Sequence, residues 1–159
     1  MEEIRAQINE VIIEFLEEVY DGPNHPYTWF ITTAPNTGLL GTINEMNAEE
    51  ASTPIIKKGT TIAAHVEHLR WSLNMANSSI RGENPAMNWS ESWRGRHVNS
   101  GEWELLVQEL RREFNLLIQT LSSGMRWASD EQLSEVLALI PRAAYHLGAI
   151  RQMASIVKA

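Results

Sequence analysis

The chain contains no cysteine. Disulfides, thiolate nucleophiles and sulfur-ligated zinc are therefore excluded, and any metal would be held through nitrogen and oxygen. It is also short of positive charge, with 13 Lys and Arg against 20 Asp and Glu and a formal net charge of −7. Its basic residues are scattered, whereas duplex DNA binding needs them clustered to displace counterions from phosphates. Nucleic acid is not expected as a partner. No apolar run approaches the roughly 20 residues of a spanning helix, so no membrane partner is expected either. The opening Met1-Glu2-Glu3-Ile4 is acidic and amphipathic, the opposite of a targeting segment, which points to a cytoplasmic protein. Strand patterns and internal repeats are missing. What remains is 159 residues with 43% hydrophobic content, enough for one core and one domain spanning 1–159.

The apolar spacing is helical throughout, which gives an all-α fold of four helices. Residues 2–20 carry Ile4, Ile8, Val11, Ile12, Phe15, Leu16 and Val19 at intervals of three and four, and Gly22-Pro23 ends the run. A second helix starts at Thr60 or Thr61 as N-cap, with the seam Ile62, Val66, Leu69, Leu73 and Ala76. Asn99 with Glu102 three residues later forms a capping box for a third, through Trp103, Val107, Leu110, Phe114, Leu117 and Leu121. Ser129 with Gln132 repeats that signal for a fourth, whose seam runs Leu139, Ala143, His146, Ile150, Met153 and Val157. Pro141 predicts a kink in the fourth helix just before Arg142. The stretch from Asp21 to Gly59 is long for a plain loop. Leu39, Leu40, Ile43 and Met46 suggest a short extra helix there, covering one end of the bundle. Residues 82–98, rich in Gly, Asn, Ser and Trp, form the other irregular connection.

Two histidines fall on apolar seams, where an imidazole needs a hydrogen-bond partner or a metal. His65 lies about 60° from the centre of the second helix's stripe and His68 about twice as far, so His65 points inward more than His68. His146 occupies a seam position on the fourth helix. If those helices are neighbours, His65 and His146 converge as metal ligands do in helical bundles. A catalytic metal usually takes a third protein ligand. The residue one turn before His146 is Arg142, which cannot coordinate a cation. At roughly 5 Å and an effective dielectric of about 20, a guanidinium repels a divalent ion by on the order of 6 kcal/mol. His68, Glu67 or a water stand as substitutes for the third ligand.

Other chemistries lack their signatures. No His has Glu three residues before it, which excludes the di-iron carboxylate pattern, and His65-Val66-Glu67-His68 is not the zinc-protease motif. No Gly-x-Ser-x-Gly turn is present. Trp89 and Trp93 have two readings, loop anchoring or the rim of an apolar pocket. His25 and His97 sit in loops and are expected to be solvated. Glu10, Glu14, Glu17 and Glu18 make an acidic face on the first helix, most simply a solubility surface.

The segments Thr61-Ile62-Ala63-Ala64-His65-Val66-Glu67-His68-Leu69-Arg70-Trp71 and Ala143-Ala144-Tyr145-His146-Leu147-Gly148-Ala149-Ile150-Arg151-Gln152 resemble the DinB-like family, as does the stretch from Trp93 to Trp103 with Glu102 before the second Trp. The resemblance spans nearly the whole chain. It implies an up-down-down-up four-helix bundle, frequent homodimers, and a three-His divalent-metal site with one ligand from helix two and two from helix four. His65 and His146 match two of those positions, and Arg142 stands at the third. The resemblance implies a transferase or isomerase acting on small molecules with a low-molecular-weight thiol. In such chemistry a divalent metal, zinc or nickel, lowers the thiol's pKa or polarises a carbonyl, and Arg142 clamps a substrate carboxylate. The alternative is a metal-free, non-catalytic descendant that binds a small molecule or acts as a scaffold, with no cofactor and with Arg142 in the metal's place.

Overall fold

The computed structural model describes residues 2–86, 88–94 and 97–159, with side chains from residue 7 onward. The side chain of Ile4, placed on the first seam, and the start at Met1 therefore lie outside the described residues. The fold is all-helical, with no strand among the described residues. Its helices are α1 (Glu2–Tyr20), α2 (Leu39–Asn44), α3 (Ala48–Ser52), α4 (Ile62–Ile80), α5 (Ser100–Ser122), α6 (Asp130–Leu137) and α7 (Leu139–Val157), with one 3₁₀ turn at Glu91–Trp93. None is long and apolar enough to cross a membrane.

The caps act where their residue types direct. Thr61 accepts from the Ala64 amide to start α4, Ser129 accepts from Gln132 to start α6, and Asn99 with Glu102 closes a reciprocal box at α5. Gly22, with φ of +107°, turns the chain out of α1 while its amide reaches the Glu17 and Glu18 carbonyls. The four long helices then share one core: α4 packs against α5 and α7, and α1 against the same two. Leu16, Leu69, Leu110, Phe114, Leu117, Leu147 and Ile150 are buried within it. Val11, counted on the first seam, instead faces solvent.

Two expectations about the helices are corrected. The long connection holds two short helices rather than one. Asn47 caps the second with its own box to Glu50, and Trp103 Nε1 donates to the Met46 carbonyl at 2.9 Å, pinning the link to α5. The fourth helix is not a single kinked rod but α6 and α7, meeting at Ala138. The break falls before Pro141 because that position puts proline in the first turn of α7, where its missing N–H costs nothing.

The acidic face of α1 is more than a solubility surface. Glu18 is 3% exposed, and its carboxylate accepts from the Thr28 hydroxyl at 2.6 Å and from the amides of Trp29, Phe30 and Ile31 at 2.8–3.2 Å. Glu14 accepts from Trp29 Nε1 and Glu17 from Asn24 Nδ2. A segment without a strand or helix partner has amides to satisfy, and α1 supplies the acceptors.

Candidate functional site

α4 and α7 lie side by side, and the 3₁₀ turn of the 82–98 connection packs on α4. Where they meet, His65 and His68 from α4 face His146 from α7. All three are buried, with exposures of 6%, 5% and 5%. The Nδ1 atoms of His65 and His146 are 2.8 Å apart, a hydrogen bond in which one ring donates and the other accepts. His68 lies with its ring centre 4.9 Å from that of His146.

The near-equal burial of the two corrects the wheel-based reading that His65 points inward more than His68. The side of α4 that bears His68 is covered by the irregular connection as well as by His146 of α7. Trp93 stacks on the His68 ring at 4.4 Å and 15°, and meets the edges of His65 and His146 at 5.5 and 5.7 Å. Ser92, itself fully buried, donates its hydroxyl proton to the Trp89 carbonyl at 2.7 Å. Its oxygen is then left to accept from His68 Nδ1–H at 2.9 Å. Having one proton, Ser92 thus sets the tautomer of His68 and leaves Nε2 with the free lone pair. Nothing in the sequence marks Ser92, although the Trp89 and Trp93 that flank it do stand out.

Burial holds all three imidazoles uncharged. It lowers the pKa of His65. For His68 burial, then the charges of Arg142 and His65, bring the value to about 4. For His146 burial, then His65, His68 and Arg142, bring it to about 3.

Arg142 brings a positive charge to this neighbourhood. It is half-buried, its guanidinium carbon sits 5.4 Å from the centre of the Trp89 ring, and its charge is felt by His68, His146 and the buried Tyr20. It has no carboxylate partner among the described residues, and burial draws its pKa down from the ordinary arginine value without removing its proton at neutral pH. Tyr20 stacks on Phe114 at 4.7 Å, and burial pushes its phenol upward.

Arg142 also lines a cavity of 410 Å³ between α4, α6 and the 82–98 connection. Trp71, Trp89, Met75, Ala76 and Leu139 supply its apolar wall. That volume is within the range of about 300–1,000 Å³ usual for small-molecule sites. Trp89 is 47% exposed at this rim, while Trp93 covers the histidines. The two tryptophans thus have different tasks.

The other flagged residues are elsewhere. Glu67 forms a bidentate pair with Arg70 at 2.7 Å. His25 stacks on Tyr27 and pairs with Glu14 at 3.3 Å, and His97 is exposed.

A divalent ion would draw on His65, His146 and His68. Two imidazole nitrogens on one tetrahedral zinc lie about 3.3 Å apart, given zinc–nitrogen bonds of about 2.0–2.1 Å. The 2.8 Å Nδ1 pair is closer than that and shares a proton instead. Among the described residues no group of three or more His, Asp or Glu has the arrangement of a metal site. No family model, curated protein or solved structure matches the chain.

Proposed function

We propose that this chain is a DinB-like protein with the up-down-down-up four-helix bundle of that family, in which a fixed guanidinium has taken the metal's place and binds an anionic group of a small molecule. The single observation carrying this reading is Arg142, half-buried over Trp89, lining a 410 Å³ cavity and without a carboxylate partner among the described residues. An unneutralised guanidinium in partly desolvated surroundings is a carboxylate receptor, because it offers two parallel N–H donors and full charge. The uncharged histidines beside it leave that charge unshared, and the His65–His146 hydrogen bond pairs one nitrogen of each ring without an ion.

Titration calorimetry with hexanoate as the probe tests the reading. The native protein binds hexanoate, and Arg142→Gln weakens binding by about 10- to 100-fold, the size of one charged hydrogen-bonded contact. Equal affinity in the two proteins overturns it.

A second reading is favoured by the convergence of three imidazoles beneath Trp93. On it, His65, His146 and His68 hold zinc or nickel for a transferase or isomerase reaction with a low-molecular-weight thiol. The metal would supply Lewis-acid activation of the thiol. Elemental analysis of protein purified without an affinity tag separates the two, since one ion per chain, lost in His146→Ala, belongs to the second alone. The family resemblance also brings a homodimer, which light scattering of the purified protein tests.

A further inference from the structure

The cavity that holds Arg142 is not uniformly positive. Glu83, Glu131 and Glu135 line it too. Both oxygens of Glu83 are engaged by Arg81 at 2.8 Å, which neutralises it. Glu135 accepts only a neutral hydroxyl, from Ser79 at 2.7 Å, and Glu131 has no ion pair among the described residues. Two uncompensated carboxylates and one uncompensated guanidinium therefore line the same cavity.

The sequence explains the layout. Glu131 and Glu135 lie one turn apart on α6, and Leu139 and Arg142 lie one turn apart at the start of α7, so each helix brings its own charge to the cavity. Arg142 forms no ion pair with Glu131 or Glu135 among the described residues, although all three line the cavity. The carboxylates repel a simple anion as it approaches, and the arginine repels a simple cation. A molecule with a carboxylate at one end, an ammonium at the other and an apolar middle satisfies both charges and the Trp71, Met75 and Leu139 wall.

Resting on the carboxylate-binding reading above, we infer that the ligand of this cavity is a zwitterion with well-separated charges, an ω-amino acid or a short peptide, its carboxylate on Arg142 and its ammonium between Glu131 and Glu135.

The test is calorimetric titration of the full chain at low salt with 6-aminohexanoate, hexanoate and hexylamine. 6-Aminohexanoate binds about fivefold more tightly than hexanoate, as one partly exposed charge pair provides. The Glu131→Gln/Glu135→Gln double variant erases that preference while keeping hexanoate binding. Both positions are exposed and Gln retains an acceptor for Ser79, so the variant folds, which circular dichroism checks. Hexanoate binding equal to or better than 6-aminohexanoate overturns the zwitterion and leaves the carboxylate receptor standing. Binding of none of the three probes, or of hexylamine best, overturns both.

Discussion

The Nδ1 atoms of His65 and His146 lie 2.8 Å apart, so two buried rings from α4 and α7 share one proton across the helix interface. His146→Ala removes packing and leaves His65 without its partner. Urea denaturation should register a loss of about 2–4 kcal/mol. Adding His65→Ala should cost less than it does alone, because the ring it deletes is already orphaned. Strict additivity would argue that the two rings do not interact.

Acid should destabilise the protein well before its carboxylates titrate. His68 and His146 have folded values near 4 and 3, below the ordinary 6.5, so the unfolded chain binds more protons once pH falls below about 6.5. Their contribution is intact above pH 6.5 and is lost progressively as pH falls towards 4 and 3, by on the order of several kcal/mol in total. Denaturation midpoints at successive pH values, with chelator present, should fall between pH 6.5 and 5. A flat profile there would mean that these rings are as easily protonated in the folded state as in water.

Arg142→His would place an imidazole one helical turn before His146 and remove the opposing charge. The variant should take up stoichiometric zinc or cobalt, with the visible spectrum of a tetrahedral cobalt centre as readout. Failure to gain any metal affinity would show that position 142 does not share the histidines' space.

Glu18→Gln keeps the shape of the side chain but removes the charge that four donors converge on. A loss of about 2–3 kcal/mol is expected, with faster amide exchange at Trp29, Phe30 and Ile31. Since the folded carboxylate's pKa is depressed by those donors, the Glu18 contribution is present above the ordinary carboxylate range and fades as pH falls below it.

Pro141→Ala distinguishes a first-turn proline from a mid-helix one. Within an unbroken helix the replacement would relieve about 3 kcal/mol. With α7 beginning at Leu139, thermal denaturation should move by less than about 1 kcal/mol in either direction.

Much of this was readable in advance where a residue's role is local. Thr61, Asn99 and Ser129 cap helices because their side chains reach amides two or three residues away, and such chemistry is written in the spacing. The meeting of His65 with His146 followed from two seams facing one core. What escaped depends on segments without periodicity. A helical wheel sets His68 farther from the core than His65 because it counts only other helices as cover, whereas here Trp93 and Ser92 from an irregular stretch help to bury it. Glu18 looked like one more surface acid because its donors are backbone amides, which no side-chain pattern reveals. The division of the fourth helix at Ala138 was displaced by three residues from its visible marker, Pro141.

The hydroxyl of Ser92 is a rotor shared by two compartments. It donates to the backbone of Trp89, whose ring walls the cavity, and accepts from His68 among the buried rings behind. The wall of the cavity and the buried histidines are thereby joined through a single hydroxyl.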